Sequence, residues 1–267
     1  MLIAALQLNS QGLSSTKLYN YIRIAHKKGV KVLVLGEYIL NPFFKELQNL
    51  SIDMINESSK MQIKVLKDSA RDYDLTIIAP LILVKNKKPY KYIIKFSPKS
   101  TAYYLQQILI NYPHWNEEKF FANPLTRLKA PLTFKKDGLK FAIMAGFELH
   151  FDKIWNFIDE KNIDAVLVPS ASTFGSHQRW QALIQTRAFT HNCYILRANR
   201  IGEYKDKKAS WEFYGDSILA SPDGYILNTL GNEEELMIGE ISKNDIIKSK
   251  KAWKFKEAIL KREGENI

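Results

Sequence analysis

Short apolar runs alternate with amphipathic stretches along this chain, the pattern of an α/β architecture. "LIAALQL" near the start reads as a buried strand, and Ser15 to Lys28 follows with Leu18, Ile22 and Ala25 at helical spacing. "VKVLVLGE" is a second buried strand and Met54 to Tyr73 a helix. "LTIIAPLIL" and "KYIIKFS" are strands that pair as a hairpin across "VKNKKPY". "KFAIMAG" is a strand that bends at Gly146 into a helix from Phe151 to Lys161, and the strand "DAVLVPS" comes next. A helix through "HQRWQALIQTRAFTHN" leads to the strand "CYILRANR". "YGDSILASPDGYILNTLG" forms a hairpin turning at Pro222-Asp223-Gly224, "LMIGEIS" a last strand, and the tail from Asp245 onward is basic and helical. No linker, low-complexity tract or repeat divides the pattern, so one layered α/β domain over residues 1–267 is expected.

Composition narrows this picture. With 46% apolar and 12% aromatic residues, the 267-residue chain has ample material for a core. The net charge of +11 suits a polyanionic partner in principle, but the 39 Lys and Arg residues are dispersed in short groups such as "HKKGVK" and "VKNKKPYK". That dispersal reads as a solvated surface, and no nucleic-acid-binding signature accompanies it. A single cysteine, Cys193, excludes an internal disulfide and fits a reducing, cytoplasmic setting. No run approaches the ~20 apolar residues of a spanning helix, so no membrane partner is expected. His114, His150, His177 and His191 lie on different elements without metal-ligand spacing, so neither a metal nor another cofactor is expected.

The candidate chemistry lies in a few segments. "VKVLVLGEYILNPF" is a strand ending in an acid, "YYLQQILINYPHWNEEKFF" a loop, and "FAIMAGFELHF" a strand-to-helix elbow. "VLVPSAS", "HQRWQALIQTRAFTHNCYILRANRIG" and "YGDSILASPDG" follow. In order and spacing these segments resemble the nitrilase superfamily, the carbon-nitrogen hydrolases, over nearly the whole chain. The resemblance implies a four-layer α-β-β-α sandwich, a homodimer or higher homo-oligomer, and a Glu-Lys-Cys set. In that set cysteine attacks an amide or nitrile carbon, glutamate shuttles its proton and lysine steadies the developing negative charge.

Carried over residue by residue, the resemblance puts Glu37 at the general-base position and Glu117 at that of an assisting glutamate. Gln106 stands at the lysine position, and no lysine lies between Lys99 and Lys119 to replace it locally. Gly146 stands at the nucleophile position, followed by Phe147 and Glu148. Cys193 falls on a later strand, where a small packing residue is expected. Phe147, Glu148 and Ser170 are assigned to ligand contact, with turn hydrogen bonding as the alternative for Ser170 and Ser172. Trp180 and Arg187, seven apart on one helix, are read as packing and interface residues.

A site lacking both nucleophile and cation is unfit for covalent amide hydrolysis. One expectation is therefore a pseudoenzyme with a binding or scaffold role. In it Glu37, Glu117 and Glu148 converge on a cleft that takes a small amine or amide, with a cationic ligand favoured. The alternative is an altered amidase or carbamoyl-amide hydrolase in which Glu37 activates water directly. Glycine at the elbow is expected to relieve backbone strain of roughly 1–3 kcal/mol.

Overall fold

Successive side chains of a strand point to opposite faces, and in this chain both faces are apolar. In strand β1 (Leu2–Gln7), Ile3 and Ala5 enter one core while Ala4 and Leu6 enter another. A strand with two buried faces lies between two layers. The computed structural model, which describes residues 1–11, 16–207 and 210–264, bears this out.

After β1 come α1 (Thr16–Lys27), β2 (Val32–Leu35), the short α2 (Phe44–Leu47) and α3 (Ile52–Asp72). Three strands follow: β3 (Thr76–Lys85), β4 (Lys88–Ser97) and β5 (Ser100–Leu105). The second half contains β6 (Leu132–Lys136), β7 (Leu139–Ile143), a 3-10 turn over Gly146–His150, α4 (Asp152–Glu160), β8 (Ala165–Pro169), α5 (His177–Thr190) and β9 (Tyr194–Ala198). The hairpin β10 (Ile201–Lys205) and β11 (Ser210–Tyr214) precedes β12 (Ile218–Ala220), β13 (Ile226–Thr229) and β14 (Glu235–Glu240). Helices α6 (Lys243–Trp253) and α7 (Phe255–Glu263) complete the described chain.

Two six-stranded sheets form, in the orders β14-β1-β2-β3-β4-β5 and β13-β12-β9-β8-β7-β6. Their inner faces share one core, with Val34, Ile78 and Ile93 of the first sheet packed against Phe141, Leu167 and Leu196 of the second. The outer face of the first sheet is covered by α1 and α3 through Leu18, Ile22, Leu66 and Ala70. That of the second is covered by α4 and α5 through Ile154, Trp155, Ile158, Ile184 and Ala188. The result is the expected α-β-β-α sandwich. Among the described residues no helix is long and apolar enough to cross a membrane.

The helices and hairpins lie near their expected bounds, with the turn of the last hairpin at Gly224 in the left-handed region (φ 80°). Ser15, expected at the head of α1, lies outside the described residues. Four of the described strands were not anticipated: β5, β6, β10 and β11. β4 also starts three residues earlier than the apolar run suggests, because Asn86 and Lys87 (φ 50° and 58°) close a two-residue turn directly after β3.

Candidate functional site

β2 delivers Glu37 to the end of the sandwich. At Gly36 an added Cβ would lie 2.8 Å from the carbonyl carbon of Asn199, so only glycine lets the strand pass this close to the second sheet. The Glu37 N–H then donates to Ser170 O at 3.0 Å, which ties the two sheets at the site. Tyr38 follows in the left-handed region (φ 59°), a costly conformation for a bulky residue.

The expectation of a site without a cation is wrong. Lys91 of β4 is buried, and its Nζ lies 3.0 Å from Glu37 Oε2 and 2.8 Å from Glu117 Oε1. Glu117 also accepts from the Tyr38 hydroxyl. Burial pushes the Lys91 ammonium down, but Glu117 and Glu37 together outweigh it and hold the group above its ordinary value. Burial first, and Glu117 next to it, push the Glu37 carboxyl up against the pull of Lys91, to about 7. Glu37 Oε1 accepts no hydrogen bond among the described residues, and the third ammonium hydrogen of Lys91 has no acceptor there either.

Gln106 directly follows β5 and donates through Nε2 to Ile108 O at 2.9 Å. Its Oε1 is buried without a partner among the described residues. Tyr92 pairs with Leu105 in the β4–β5 register, which puts Lys91 and Gln106 at the next rung, where Gln106 N–H donates to Lys91 O at 3.1 Å. Asn123 fastens that rung. It accepts from Lys91 N–H at 2.9 Å and donates through Nδ2 to Lys91 O and Gln106 O at 3.0 and 2.8 Å.

At the elbow, Gly146 does not have a positive φ, so the expected relief of backbone strain is not the reason for glycine. The reason is contact: a Cβ at position 146 would lie 2.7 Å from the Cβ of Ser170. The Ser170 hydroxyl accepts from Arg197 Nε at 3.0 Å and points its hydrogen toward Asn199 Oδ1 and Ala198 O, 3.1 and 3.3 Å away. Among the described residues no carboxylate or imidazole accepts from it, so none there acts as its activating base. Arg197, fully buried, also donates to Ser172 Oγ at 2.7 Å and lies over the Trp180 ring.

Glu148 lies outside the cavity, contrary to its assignment as a ligand contact. Its carboxylate sits beneath the elbow and accepts from Ala145 N–H, Gln107 N–H and Tyr104 Oη at 2.9, 2.8 and 2.8 Å. The three expected carboxylates therefore do not converge. Glu117 sits behind Lys91, and Glu37 is the one that reaches the open space, so the reason to favour a cationic ligand falls away.

That space is a cavity of about 850 Å³. Glu37, Lys91 and Gln106 form its buried floor, beside Gly146 and Ser170. Its mouth is a run of rings in successive contact: Phe174 with His114, His114 with Tyr112, Tyr112 with Phe147, Phe147 with His150, and His150 with Trp180, at centroid distances of 5.3, 5.7, 5.7, 5.6 and 5.3 Å. Trp180 is thus a cavity residue rather than packing alone. Arg179 stands exposed at the rim, without an ion pair among the described residues. Trp115 Nε1 and Thr173 Oγ1, from two further lining residues, are buried without hydrogen-bond partners among the described residues. Among the described residues no group of three His, Cys, Asp or Glu side chains is placed to hold a metal ion.

A model of the carbon-nitrogen hydrolase family matches residues 2–251. The chain belongs to this family. It is 22% identical over 254 residues to a deaminated glutathione amidase of Synechocystis, covering 90% of this chain and 91% of that one. An N-carbamoylputrescine amidase of rice is 21% identical over 249 residues, with 87% and 81% covered. The crystal structure of a carbon-nitrogen hydrolase from Helicobacter pylori superposes with a TM-score of 0.85 at 18% identity, covering 96% of this chain and 94% of that one.

Within this member of the carbon-nitrogen hydrolase family, five of the residues assigned from sequence line one cavity: Glu37, Gln106, Gly146, Phe147 and Ser170. Sequence reasoning missed Lys91, Trp115 and Arg197. The available signal for Lys91 was a lysine at the head of the apolar run "KYIIKFS", which invites the question of what face it occupies.

Proposed function

We propose that this carbon-nitrogen hydrolase-family protein binds a small neutral amide or carbamoyl compound in its cavity and forms no covalent acyl-enzyme. The observation that carries this reading is the set of unpartnered buried polar atoms among the lining residues: Gln106 Oε1, Trp115 Nε1 and Thr173 Oγ1. An unpaired buried polar group costs about 1–3 kcal/mol, and a ligand with both a carbonyl and N–H groups satisfies acceptors and donors together. The lack of an activated nucleophile at the elbow, among the described residues, supports the second half. Gly146 has no side chain, the Ser170 hydroxyl has no base, and Cys193 is buried in the outer core with its thiol pushed up by burial. Calorimetric titration with propionamide, N-methylpropionamide and a simple alkylurea is expected to give saturable binding, with no mass adduct on the intact protein. No binding by any of the three would defeat the reading.

One observation favours a second reading, hydrolysis by water. Glu37 Oε1 is free of protein partners at the cavity floor, and its carboxyl near 7 is matched to proton transfer at neutral pH. Glu37 takes a proton from water as the oxygen attacks the amide carbon, Lys91 N–H donates to the developing oxyanion, and Glu37 returns the proton to the departing nitrogen. Release of the amine product from the same compounds, ammonia from propionamide and methylamine from N-methylpropionamide, that disappears in Glu37→Gln supports this second reading; release unchanged by that substitution excludes it.

A further inference from the structure

We propose that Lys91 carries, from strand β4, the positive charge that the family pattern puts at position 106, so that the site has exchanged its lysine across a strand pair instead of losing it. The two positions face each other across one rung, next to the Tyr92–Leu105 pair. Gln106 N–H donates to Lys91 O, and in an antiparallel pair residues directly opposite each other project to the same face. A lysine at either position therefore starts on the same side of the sheet, at the same end of the sandwich. Asn123 bonds the backbones of both and fixes their relative height.

The surroundings of Lys91 point to a charge that is used. A buried lysine is costly to keep, and an apolar residue of similar length would pack β4 as well if structure were the sole demand. Instead the ammonium reaches Glu37, the carboxylate that lines the cavity, as well as Glu117 behind it. Among the described residues its third hydrogen has no oxygen or nitrogen acceptor, only the face of the Tyr38 ring 4.8 Å away, and Lys91 itself lines the cavity floor. Gln106, relieved of the charge, keeps its Nε2 on Ile108 O and has an unpartnered Oε1. The exchange thus gives the floor a cation at 91 and an additional acceptor at 106, where the family pattern has a lysine alone.

The test is a charge swap read at Glu37. In protein carrying carboxyl-labelled glutamate, the Glu37 titration is followed by carbon-13 NMR in wild type, Lys91→Met, Gln106→Lys and the double variant. Removing the cation is expected to raise the Glu37 midpoint by about one pH unit or more, and Gln106→Lys in the Lys91→Met background to bring it back down. A midpoint that ignores Lys91→Met, or a double variant that titrates like Lys91→Met, overturns the exchange. Should Lys91→Met fail to fold, recovery of folded protein in the double variant supports the exchange, and failure of both counts against it. The titration needs no ligand. A panel of amides that all fail to bind would remove the binding reading and leave the exchange standing.

Discussion

At Glu37 three influences compete: burial raises the carboxyl, Lys91 lowers it, and Glu117 raises it again. The folded-state value of about 7 lies above that of the unfolded chain, so between the two the native protein holds a proton that the unfolded chain releases. Stability therefore falls as pH rises through that window and levels off above it. Glu37→Gln removes the dependence. The variant is expected to gain thermal stability over wild type at about pH 8 and little or none at about pH 4, which paired melting curves will show.

Gly146 invites a second residue-scale prediction. Because the obstruction is the Ser170 Cβ, Gly146→Cys is expected to cost roughly 1–3 kcal/mol in urea unfolding. In a Ser170→Gly background the cost should shrink, and in Ser170→Ala, which keeps the Cβ, it should not. Equal costs in both backgrounds would refute the contact. A glycine at the elbow was legible in the sequence because its neighbours resemble a family pattern. The cause was not, since it lies in the residue just after β8, which only the packed elbow brings near.

Among the elements, the β3–β4 hairpin shows where sequence reading stopped. Both strands and their pairing were legible as apolar runs separated by a polar turn. The register was not, because the turn is only Asn86-Lys87 and the flanking Lys88, Pro89 and Tyr90 belong to β4 despite their polarity. β5, an edge strand with a largely accessible face, lacks a hydrophobic run to announce it. Without β5 nothing relates position 91 to 106, so the lysine search stayed within one segment and missed a residue that is distant in sequence and adjacent in the sheet.

Two measurements bear on this unit. Lys87 is held at φ 58°, and Lys87→Gly is expected to stabilise the protein by about 0.5–1 kcal/mol by removing a left-handed side-chain residue from the turn. Asn123→Ala, which strips the bonds holding the Lys91–Gln106 rung, is expected to cost roughly 1–3 kcal/mol in chemical unfolding.

For the whole molecule, layering was the most legible property. A chain whose strands are apolar on both faces and whose helices are apolar on one has few ways to bury them all. Which strands share the inner core was not legible, since long-range pairings such as β1 with β14 leave no local trace. Cys193 reports on this architecture. It is buried between the second sheet and its covering helices, with its thiol pushed up by burial. Labelling by a thiol reagent is expected to follow the global unfolding rate; labelling of native protein well ahead of unfolding would contradict that packing.

The lysine between two buried acids also has a historical consequence. A lineage that moves a charge from one position to its neighbour passes through an intermediate with either no lysine or two. With none, Glu37 and Glu117 face each other as an uncompensated buried pair. With two, each acid has its own ammonium and the group is electrically balanced. On the proposed exchange, gain at position 91 before loss at position 106 is the passable order, and Gln106→Lys in the present protein, which sets up that two-lysine arrangement, should fold where Lys91→Met struggles.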